Sequence, residues 1–278
     1  MTDLPTRTLT GMVAGAVALF GIWYGGWAFW LLVGLVASGS TLEWAAIAGT
    51  TAQRHMIADW KTVGLPVVGV LAALTASAFT GLFWPGLAIL AATVAFVPII
   101  EAARNGGNVK SSVSLIKAFG PGYIGLAGLT LIWMRNAGDN GAANVLLVMV
   151  CVSATDIGAY FVGRAVGGPK LAPAISPAKT WSGLCGGVVG SMAAAALAHL
   201  VLGGASVAIL LLIAAALAVV SQSGDLLESS LKRRFGVKDS GHVLPGHGGV
   251  LDRVDGLLAA AIVMAMIFAF FGSGILWQ

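Results

Sequence analysis

Hydrophobic runs recur from one end of this 278-residue chain to the other, and they limit the folds that it can adopt. Many of these runs approach the roughly 20 apolar residues that a helix needs to cross the hydrocarbon core of a bilayer. Only 9% of the residues are charged, whereas about a quarter are charged in a typical soluble domain. Because lipid offers the backbone no hydrogen-bond partners, such runs are expected to form helices. The sequence therefore predicts an all-α integral membrane protein and excludes a soluble globular domain.

Nine apolar runs can be separated by their charged, glycine-rich or proline-containing borders. The predicted spans are 8–24, 27–46, 62–79, 82–101, 113–134, 142–163, 181–202, 205–228 and 254–274. The first run leads into further apolar runs rather than into a polar domain, which favours a retained helix over a cleaved signal peptide. We divide the chain into N-terminal transmembrane helices, residues 1–110, and a C-terminal transmembrane region, residues 111–278, which contains the candidate catalytic motifs described below.

The basic residues are distributed unevenly around these spans. Fourteen of the fifteen Lys and Arg residues lie before the first span or after an even-numbered span, and Arg135 is the exception. Lys and Arg accumulate in cytoplasmic loops of membrane proteins. The pattern predicts a cytoplasmic N-terminus, with the C-terminus on the opposite side. The same pattern explains the net charge of +4 by orientation and by attraction to anionic lipid headgroups, rather than by nucleic-acid binding.

Several acidic residues fall inside the predicted spans or at their ends, where carboxylates are costly and usually functional. Asp156 lies about two turns inside the sixth span, and Asp225 and Glu228 lie near the end of the eighth. Asp252 and Asp255 begin the ninth span and share one helix face. Helix capping alone could explain this last pair. Taken together, the carboxylates could hold a divalent cation such as Mg²⁺, which prefers oxygen ligands.

Two further carboxylates, Glu43 and Glu101, lie at the predicted cytoplasmic ends of the second and fourth spans. A carboxylate at a membrane surface can be solvated by water, so position alone does not indicate a function. Solvation is the simpler interpretation for both, and a functional role stays open as the alternative.

The residues between the last two spans, 229–255, read SSLKRRFGVKDSGHVLPGHGGVLDRVD, and we call them the charged segment. Lys232, Arg233 and Lys238 are donors suited to phosphate oxygens. The glycines around His247 let backbone N–H groups approach an anion. Phosphate donors beside carboxylates are what phosphoryl or nucleotidyl transfer requires. A basic loop that only orients the protein would not explain the glycines and aspartates.

A second predicted cytoplasmic loop, GGPKLAPAISPAKTWSG, precedes the seventh span. Ser176, Lys179 and Thr180 supply hydroxyl groups and an ammonium group just before a helix N-terminus, a place that binds anions well. A simple helix cap would explain the hydroxyl groups equally well. Both interpretations stay open on the sequence alone.

These motifs resemble those of the phosphatidate cytidylyltransferase family, the CDP-diacylglycerol synthases. The resemblance is carried by the charged segment and extends back through SGDLLESSLKR, SPAKTWSG and TDIGAYFVGR to about residue 150, whereas the N-terminal half matches only in its hydrophobic layout. It implies a multi-pass enzyme that converts CTP and phosphatidic acid to CDP-diacylglycerol and pyrophosphate in phospholipid biosynthesis. It further implies a homodimer. We expect it in a bacterial inner (cytoplasmic) membrane, with the active site facing the cytoplasm.

The resemblance also implies the roles of individual residues. Mg²⁺ would be the main cation, with K⁺ as a second one. The metal ligands would be Asp225, Asp252 and Asp255, which with Lys232 and His247 would form the catalytic set. The substrate-binding residues would be Ser176, Lys179, Thr180, Arg233, Lys238, Asp239, Gly248, Gly249, Arg253 and Asp156.

Three other functions compete with this interpretation. A CTP-dependent kinase of a polyprenol or phytol would transfer a phosphoryl group instead and release CDP. A CDP-alcohol phosphatidyltransferase is disfavoured because its Asp-Gly-x-x-Ala-Arg motif is absent from the sequence. A transporter is disfavoured because no internal repeat is evident and the charges gather at one predicted membrane edge.

Overall fold

The computed structural model describes residues 3–48, 60–104, 111–204, 206–241 and 248–277. Within these ranges the chain forms nine α-helices, one two-stranded hairpin and a short 3-10 helix, Ser273–Leu276. The helices are α1 Asp3–Tyr24, α2 Gly26–Ala48, α3 Trp60–Thr80, α4 Phe83–Arg104, α5 Ser111–Arg135, α6 Gly141–Val166, α7 Trp181–Leu202, α8 Val207–Arg234 and α9 Leu251–Phe271.

The helices confirm the predicted all-α membrane architecture. In the described part of the chain, α2 to α9 each contain a stretch long and apolar enough to cross a membrane, and α1 contributes the shorter apolar stretch Thr8–Tyr24. Each predicted span corresponds to one helix. Two boundaries differ in ways that matter for the site. Helix α8 continues to Arg234, beyond its expected end at 228, and α9 begins at Leu251 rather than at 254, so that Asp252 lies in its first turn.

A β-hairpin between α6 and α7 was not predicted from the sequence. Strand β1, Lys170–Ala172, pairs antiparallel with β2, Ser176–Thr180. Prolines at 169, 173 and 177 argue against a strand in this segment. In a two-stranded ribbon both strands are edges, and an edge strand tolerates proline.

The described helices group into two compact units. Unit 1 consists of Met1–Asn136 with Arg234–Arg253, and unit 2 consists of Ala137–Arg233 with Val254–Gln278. Helix α9 therefore starts in unit 1 and continues in unit 2. The functional division at residue 110 stays a prediction, because compactness does not test where catalysis occurs.

Close helix contacts in unit 1 depend on small residues. On α5, a Cβ added to Gly120 would lie 2.1 Å from the indole Cδ1 of Trp44 on α2. The indole Nε1 donates a hydrogen bond to the carbonyl of Ile116 at 2.9 Å. Without a hydrophobic driving force between helices in lipid, such packing and polar contacts hold helices together.

Arg135, the exception to the charge pattern, has a structural role in unit 1. From the end of α5, its Nε donates to the carbonyl of Ile22 at 2.6 Å and its Nη2 to that of Trp23 at 3.0 Å. Both acceptors belong to the last turn of α1, whose carbonyls have no partner within the helix. A guanidinium group at a helix C-terminus also interacts favourably with the helix dipole.

In unit 2, α6 and α7 pack through a stripe of glycines. A Cβ on Gly158 would lie 2.4 Å from the carbonyl oxygen of Gly186, and a Cβ on Gly190 would lie 2.6 Å from that of Ala154. Small residues at helical spacing allow two transmembrane backbones to approach this closely. The contact fixes the hairpin, which connects the ends of these two helices.

Candidate active site

An ion pair in unit 2 joins the hairpin to α8. The Lys179 Nζ lies 2.6 Å from Asp225 Oδ2, and the two side chains are 14% and 33% exposed. The same Nζ donates to the carbonyl of Gln222 at 3.4 Å, and Ser229 Oγ donates to Asp225 Oδ1 at 3.2 Å. The structure thus brings together a predicted phosphate-binding residue, Lys179, and a predicted metal ligand, Asp225, from separate parts of the sequence.

Asp156 joins this pair from α6. Gln222 Nε2 donates a hydrogen bond to Asp156 Oδ1 at 3.2 Å. The charges of Asp225 and Lys179 both lie within electrostatic range of the Asp156 carboxyl group. Asp156 is exposed, but its carboxyl group has a polar partner on α8, as expected for a carboxyl group inside a transmembrane helix.

A second lysine and two further acids lie along α8 and α9. Lys232 Nζ lies 2.9 Å from Glu228 Oε2, one helical turn away, and the side chains are 12% and 5% exposed. Asp255 lies within hydrogen-bonding reach of Glu228 and within electrostatic range of Asp225. Its Oδ1 also accepts a hydrogen bond from the Gly256 N–H at 2.7 Å.

Six side chains of unit 2 form what we call the acid–lysine cluster: Asp156, Lys179, Asp225, Glu228, Lys232 and Asp255. Among the described residues, no three His, Cys, Asp or Glu side chains form a preformed metal site. Mg²⁺, however, commonly uses one or two protein carboxylates and completes its shell with phosphate and water oxygens. The cluster has four carboxyl groups and two lysines, so its surplus of acidic oxygens fits a magnesium ion that binds together with a nucleotide.

In unit 1, the Asp252 carboxylate accepts hydrogen bonds from two parts of the charged segment, one at Ser240 and one at Gly249. The Ser240 N–H donates to both Asp252 oxygens, at 3.3 and 3.1 Å, and the Gly249 N–H donates to Oδ2 at 3.2 Å. Gly248 has a φ of +85°, a conformation that side chains rarely adopt, and a Cβ there would lie 3.4 Å from Asp252 Oδ2. The carboxylate thereby fixes the start of α9.

Glu43 on α2 is a site neighbour that the sequence did not identify. The prediction that Glu43 is solvated is wrong, because the residue is only 4% exposed. Its Oε1 accepts from the Val250 N–H at 2.9 Å, and its Oε2 accepts from the Leu251 N–H at 2.8 Å and from Ser240 Oγ at 3.0 Å. Its only sequence signal is a carboxylate in an apolar helix, since its partners lie about 200 residues further along the chain.

Glu101 is not solvated either, but among the described residues it has no contact with the charged segment. It is buried in unit 1 and forms an ion pair with Lys117 of α5. Lys117 neutralises the charge of Glu101 at the end of α4. In the described part of the chain, no partner of Glu101 belongs to the charged segment.

The hydroxyl groups of the hairpin have different surroundings. Thr180 Oγ1 accepts from the Gly183 N–H at 3.0 Å as the N-cap of α7, so the capping interpretation holds for this residue. Ser176 pairs with Ala172 in the hairpin. Arg233 is exposed, and its Nε donates to the carbonyl of Ile175 at 3.3 Å. The hairpin therefore meets α8 through both Lys179 and Ile175.

The remaining predicted residues lie in unit 1. Lys238, Asp239 and Arg253 are exposed, whereas Gly249 is buried. His247 lies outside the described residues, so its role stays a prediction. Of the predicted residues, the structure brings five together in the acid–lysine cluster of unit 2: Asp156, Lys179, Asp225, Lys232 and Asp255. In unit 1 it brings Gly249 into contact with Asp252. Ser176, Thr180 and Arg233 belong to neither group.

Comparison with known proteins agrees with these motifs. A family model described as the cytidylyltransferase family matches residues 5–271. A phosphatidate cytidylyltransferase of Brucella suis biovar 1 (strain 1330) is 39% identical over 276 residues, covering 98% of this chain and 95% of the relative. Proteins of the same name from Bacillus subtilis (strain 168) and Pseudomonas aeruginosa are 34% and 37% identical, covering 98% and 95% of this chain and 100% and 96% of the relatives. The chain therefore belongs to the cytidylyltransferase family of CTP-using nucleotidyltransferases.

Proposed function

We propose that this protein is a phosphatidate cytidylyltransferase, which converts CTP and phosphatidic acid to CDP-diacylglycerol and pyrophosphate in phospholipid biosynthesis. The names of the relatives support the substrates. The observation that carries the proposal is the 2.6 Å ion pair between Lys179 and Asp225. It joins Lys179, a residue expected to bind phosphate, to Asp225, a residue expected to bind the metal ion, and it does so beside further carboxyl groups.

In the proposed reaction, an oxygen of the lipid phosphate attacks the α-phosphorus of CTP. A new phosphorus–oxygen bond forms, and the bond from the α-phosphorus to the bridging oxygen breaks, so that its electron pair leaves with pyrophosphate. A phosphate monoester is largely dianionic near neutral pH, with a second pKa of about 6. It therefore needs no strong general base, and the main obstacle is repulsion between two polyanions.

The chain's own cations address that obstacle. Lys179 and Lys232 are held by Asp225 and Glu228, so their ammonium groups are already oriented before substrate binds. Positioned cations that need no reorganisation are effective at stabilising developing negative charge. We assign Arg233, Lys238 and Arg253, which are exposed, to the incoming phosphates, and His247 to the pyrophosphate.

Asp225, Asp252 and Asp255 would hold Mg²⁺, and K⁺ would be a second cation. When bound, Mg²⁺ would neutralise charge on the nucleotide phosphates. The carboxyl surplus of the acid–lysine cluster supports this assignment for Asp225 and Asp255. The chain's remaining contribution is to keep its carboxylates in fixed positions, which for Asp252 is done by the N–H groups of Ser240 and Gly249.

The proposed site faces the cytoplasm of a bacterial inner membrane, as the charge pattern predicts. CTP would then arrive from water, while the lipid would present its phosphate with its tails still in the bilayer. The resemblance to the family further supports a homodimer as the working form.

An assay of the purified protein in detergent tests the proposal. Phosphatidic acid and CTP are supplied with either Mg²⁺ or EDTA, and pyrophosphate and lipid product are quantified. We expect Mg²⁺-dependent pyrophosphate in equal amount to CDP-diacylglycerol, and no activity from Asp252→Ala. Full activity of that variant at ordinary Mg²⁺ would contradict the metal assignment, and absence of turnover by the unmodified protein would contradict the function.

A further inference from the structure

Glu43 is a buried carboxylate that no part of the proposed reaction uses. Both of its oxygens accept hydrogen bonds, and all three donors come from the charged segment: Ser240 Oγ and the N–H groups of Val250 and Leu251. The two N–H groups lie at the start of α9, where the first four N–H groups of a helix have no partner within it. A carboxylate from another helix therefore caps α9 one residue before Asp252.

Ser240 connects the two carboxylates directly. Its hydroxyl group donates to Glu43 Oε2 at 3.0 Å, while its N–H donates to Asp252 Oδ2 at 3.1 Å. Any displacement of Glu43 is therefore transmitted to Asp252 along two routes, through Ser240 and through the first turn of α9. All of these residues belong to unit 1.

The charged segment packs so closely against Glu43 that two of its positions have room only for glycine. A Cβ on Gly241 would lie 2.6 Å from Glu43 Oε1, and a Cβ on Gly249 would lie 2.7 Å from Glu43 Oε2 and 1.9 Å from Ser240 Oγ. On α2, one turn before Glu43, a Cβ on Gly39 would touch Val250 at 3.4 Å. Residues larger than glycine at 241 and 249 would push the segment off the carboxylate.

We infer that Glu43 is a positioning residue, which holds Asp252 in the geometry needed for nucleotidyl transfer by binding Ser240, Val250 and Leu251. The link to catalysis rests on the proposed function, whereas the link to the position of the charged segment does not. Outer-shell partners of this kind set the orientation of a metal-binding side chain.

The geometry requires a glutamate rather than a side chain of similar size. Each oxygen faces a backbone N–H group, so a glutamine would turn its own NH₂ group toward one of them and leave two donors facing each other. An aspartate is one methylene group shorter and would not reach the start of α9. Glu43→Gln is therefore the most specific test, because it keeps the size of the side chain and removes one of its two hydrogen-bond-accepting oxygens.

Hydrogen exchange measured by mass spectrometry on the full-length protein tests the structural part. In Glu43→Gln, amides of peptides covering 238–252 should exchange at least about fivefold faster, as expected for loss of one capping interaction. Glu101→Gln is the matched control, because it removes a buried carboxylate of unit 1 that binds Lys117 instead. It should leave these peptides unchanged. Unchanged exchange in Glu43→Gln, or equal acceleration in Glu101→Gln, would overturn the inference.

A second variant guards against a general loss of folding in Glu43→Gln. Ser240→Ala removes only the hydroxyl link and keeps the N–H bond to Asp252. It should accelerate exchange in the same peptides while α3 and α4 keep their protection. If amide exchange is faster throughout Glu43→Gln, the Ser240→Ala variant decides. Unchanged exchange of the 238–252 peptides in Ser240→Ala would then overturn the inference.

Kinetics test the catalytic part. In Glu43→Gln, the Mg²⁺ concentration for half-maximal activity should rise about 10- to 100-fold, while the KM for phosphatidic acid stays the same. Glu101→Gln should not change the Mg²⁺ requirement. A loss of kcat with an unchanged Mg²⁺ requirement would overturn the positioning role. If the unmodified protein makes no CDP-lipid at all, the proposed function fails, and the exchange experiment still decides whether Glu43 holds the segment.

Discussion

At the scale of single residues, the site is organised by pairing of charges inside a membrane protein. Lys179 with Asp225 and Lys232 with Glu228 each place an ammonium group beside a carboxyl group. An unpaired charge would be costly in such an environment, and polar groups within a membrane face protein or water rather than lipid. In the proposed function, the same pairs would orient the two ammonium groups for phosphate.

Asp225 provides the residue-scale prediction. Asp225→Asn keeps the shape but removes the charge that holds Lys179 and that, in the proposed function, would contribute to cation binding, so we expect kcat to fall at least about 100-fold. Ser223→Ala, on the same helix, removes an exposed hydroxyl group that donates to the carbonyl of Val219 and to no other group among the described residues, and it should retain normal activity. The measurement is CDP-diacylglycerol formation at saturating CTP. Comparable activity in both variants would remove Asp225 from the catalytic set.

The residues differ in how well the sequence predicts them. Asp225, Asp252 and Asp255 can be identified because they belong to a dense local motif and are unusual in apolar helices. Glu43 cannot be assigned in the same way, since its partners Ser240 and Leu251 lie 197 and 208 positions away. Its role depends on a long-range contact that no local pattern records.

At the scale of elements, helices are predictable and the hairpin is not. Apolar length and the requirement for internal hydrogen bonds determine the nine helices almost directly. The hairpin has strands of three and five residues, too short for a period-2 pattern, and it contains prolines. Its place is fixed instead by the contact of α6 with α7 and by the bonds of Lys179 and Ile175 to α8.

The packing of α6 on α7 gives the element-scale prediction. Gly158→Ala would place a Cβ 2.4 Å from the backbone oxygen of Gly186, so the two helices must separate. We expect a destabilisation of about 1–3 kcal/mol, as for other overpacked sites, seen as a lower melting temperature in detergent. Gly15→Ala in α1 is the control, because a Cβ there has nothing within 4 Å. Equal melting temperatures for the two variants would contradict the close approach of α6 and α7.

At the scale of the whole molecule, an odd number of spans places the two termini on opposite sides of the membrane. The described helices include eight of sufficient length and a shorter apolar one, Thr8–Tyr24. The orientation depends on whether this first helix spans. The distribution of Lys and Arg, with Arg135 explained by its contacts at the end of α1, favours a cytoplasmic N-terminus.

Reporter fusions to the full-length chain measure this orientation. We expect alkaline phosphatase fused at the C-terminus to be active and green fluorescent protein fused there to be dark. Green fluorescent protein at the N-terminus should fluoresce, which shows that the fused protein is produced. A fluorescent C-terminal fusion would place both termini in the cytoplasm and would mean that one of the nine helices does not cross.

The most direct test of the central claim is the fate of the individual phosphorus atoms of CTP. Purified protein is given phosphatidic acid and CTP labelled with ³²P at either the α or the γ position, and the lipid and aqueous phases are counted separately. Nucleotidyl transfer predicts that the α label enters the lipid and that the γ label leaves in pyrophosphate. Appearance of the γ label in a lipid, with CDP released, would contradict the proposed function and would favour a CTP-dependent lipid kinase.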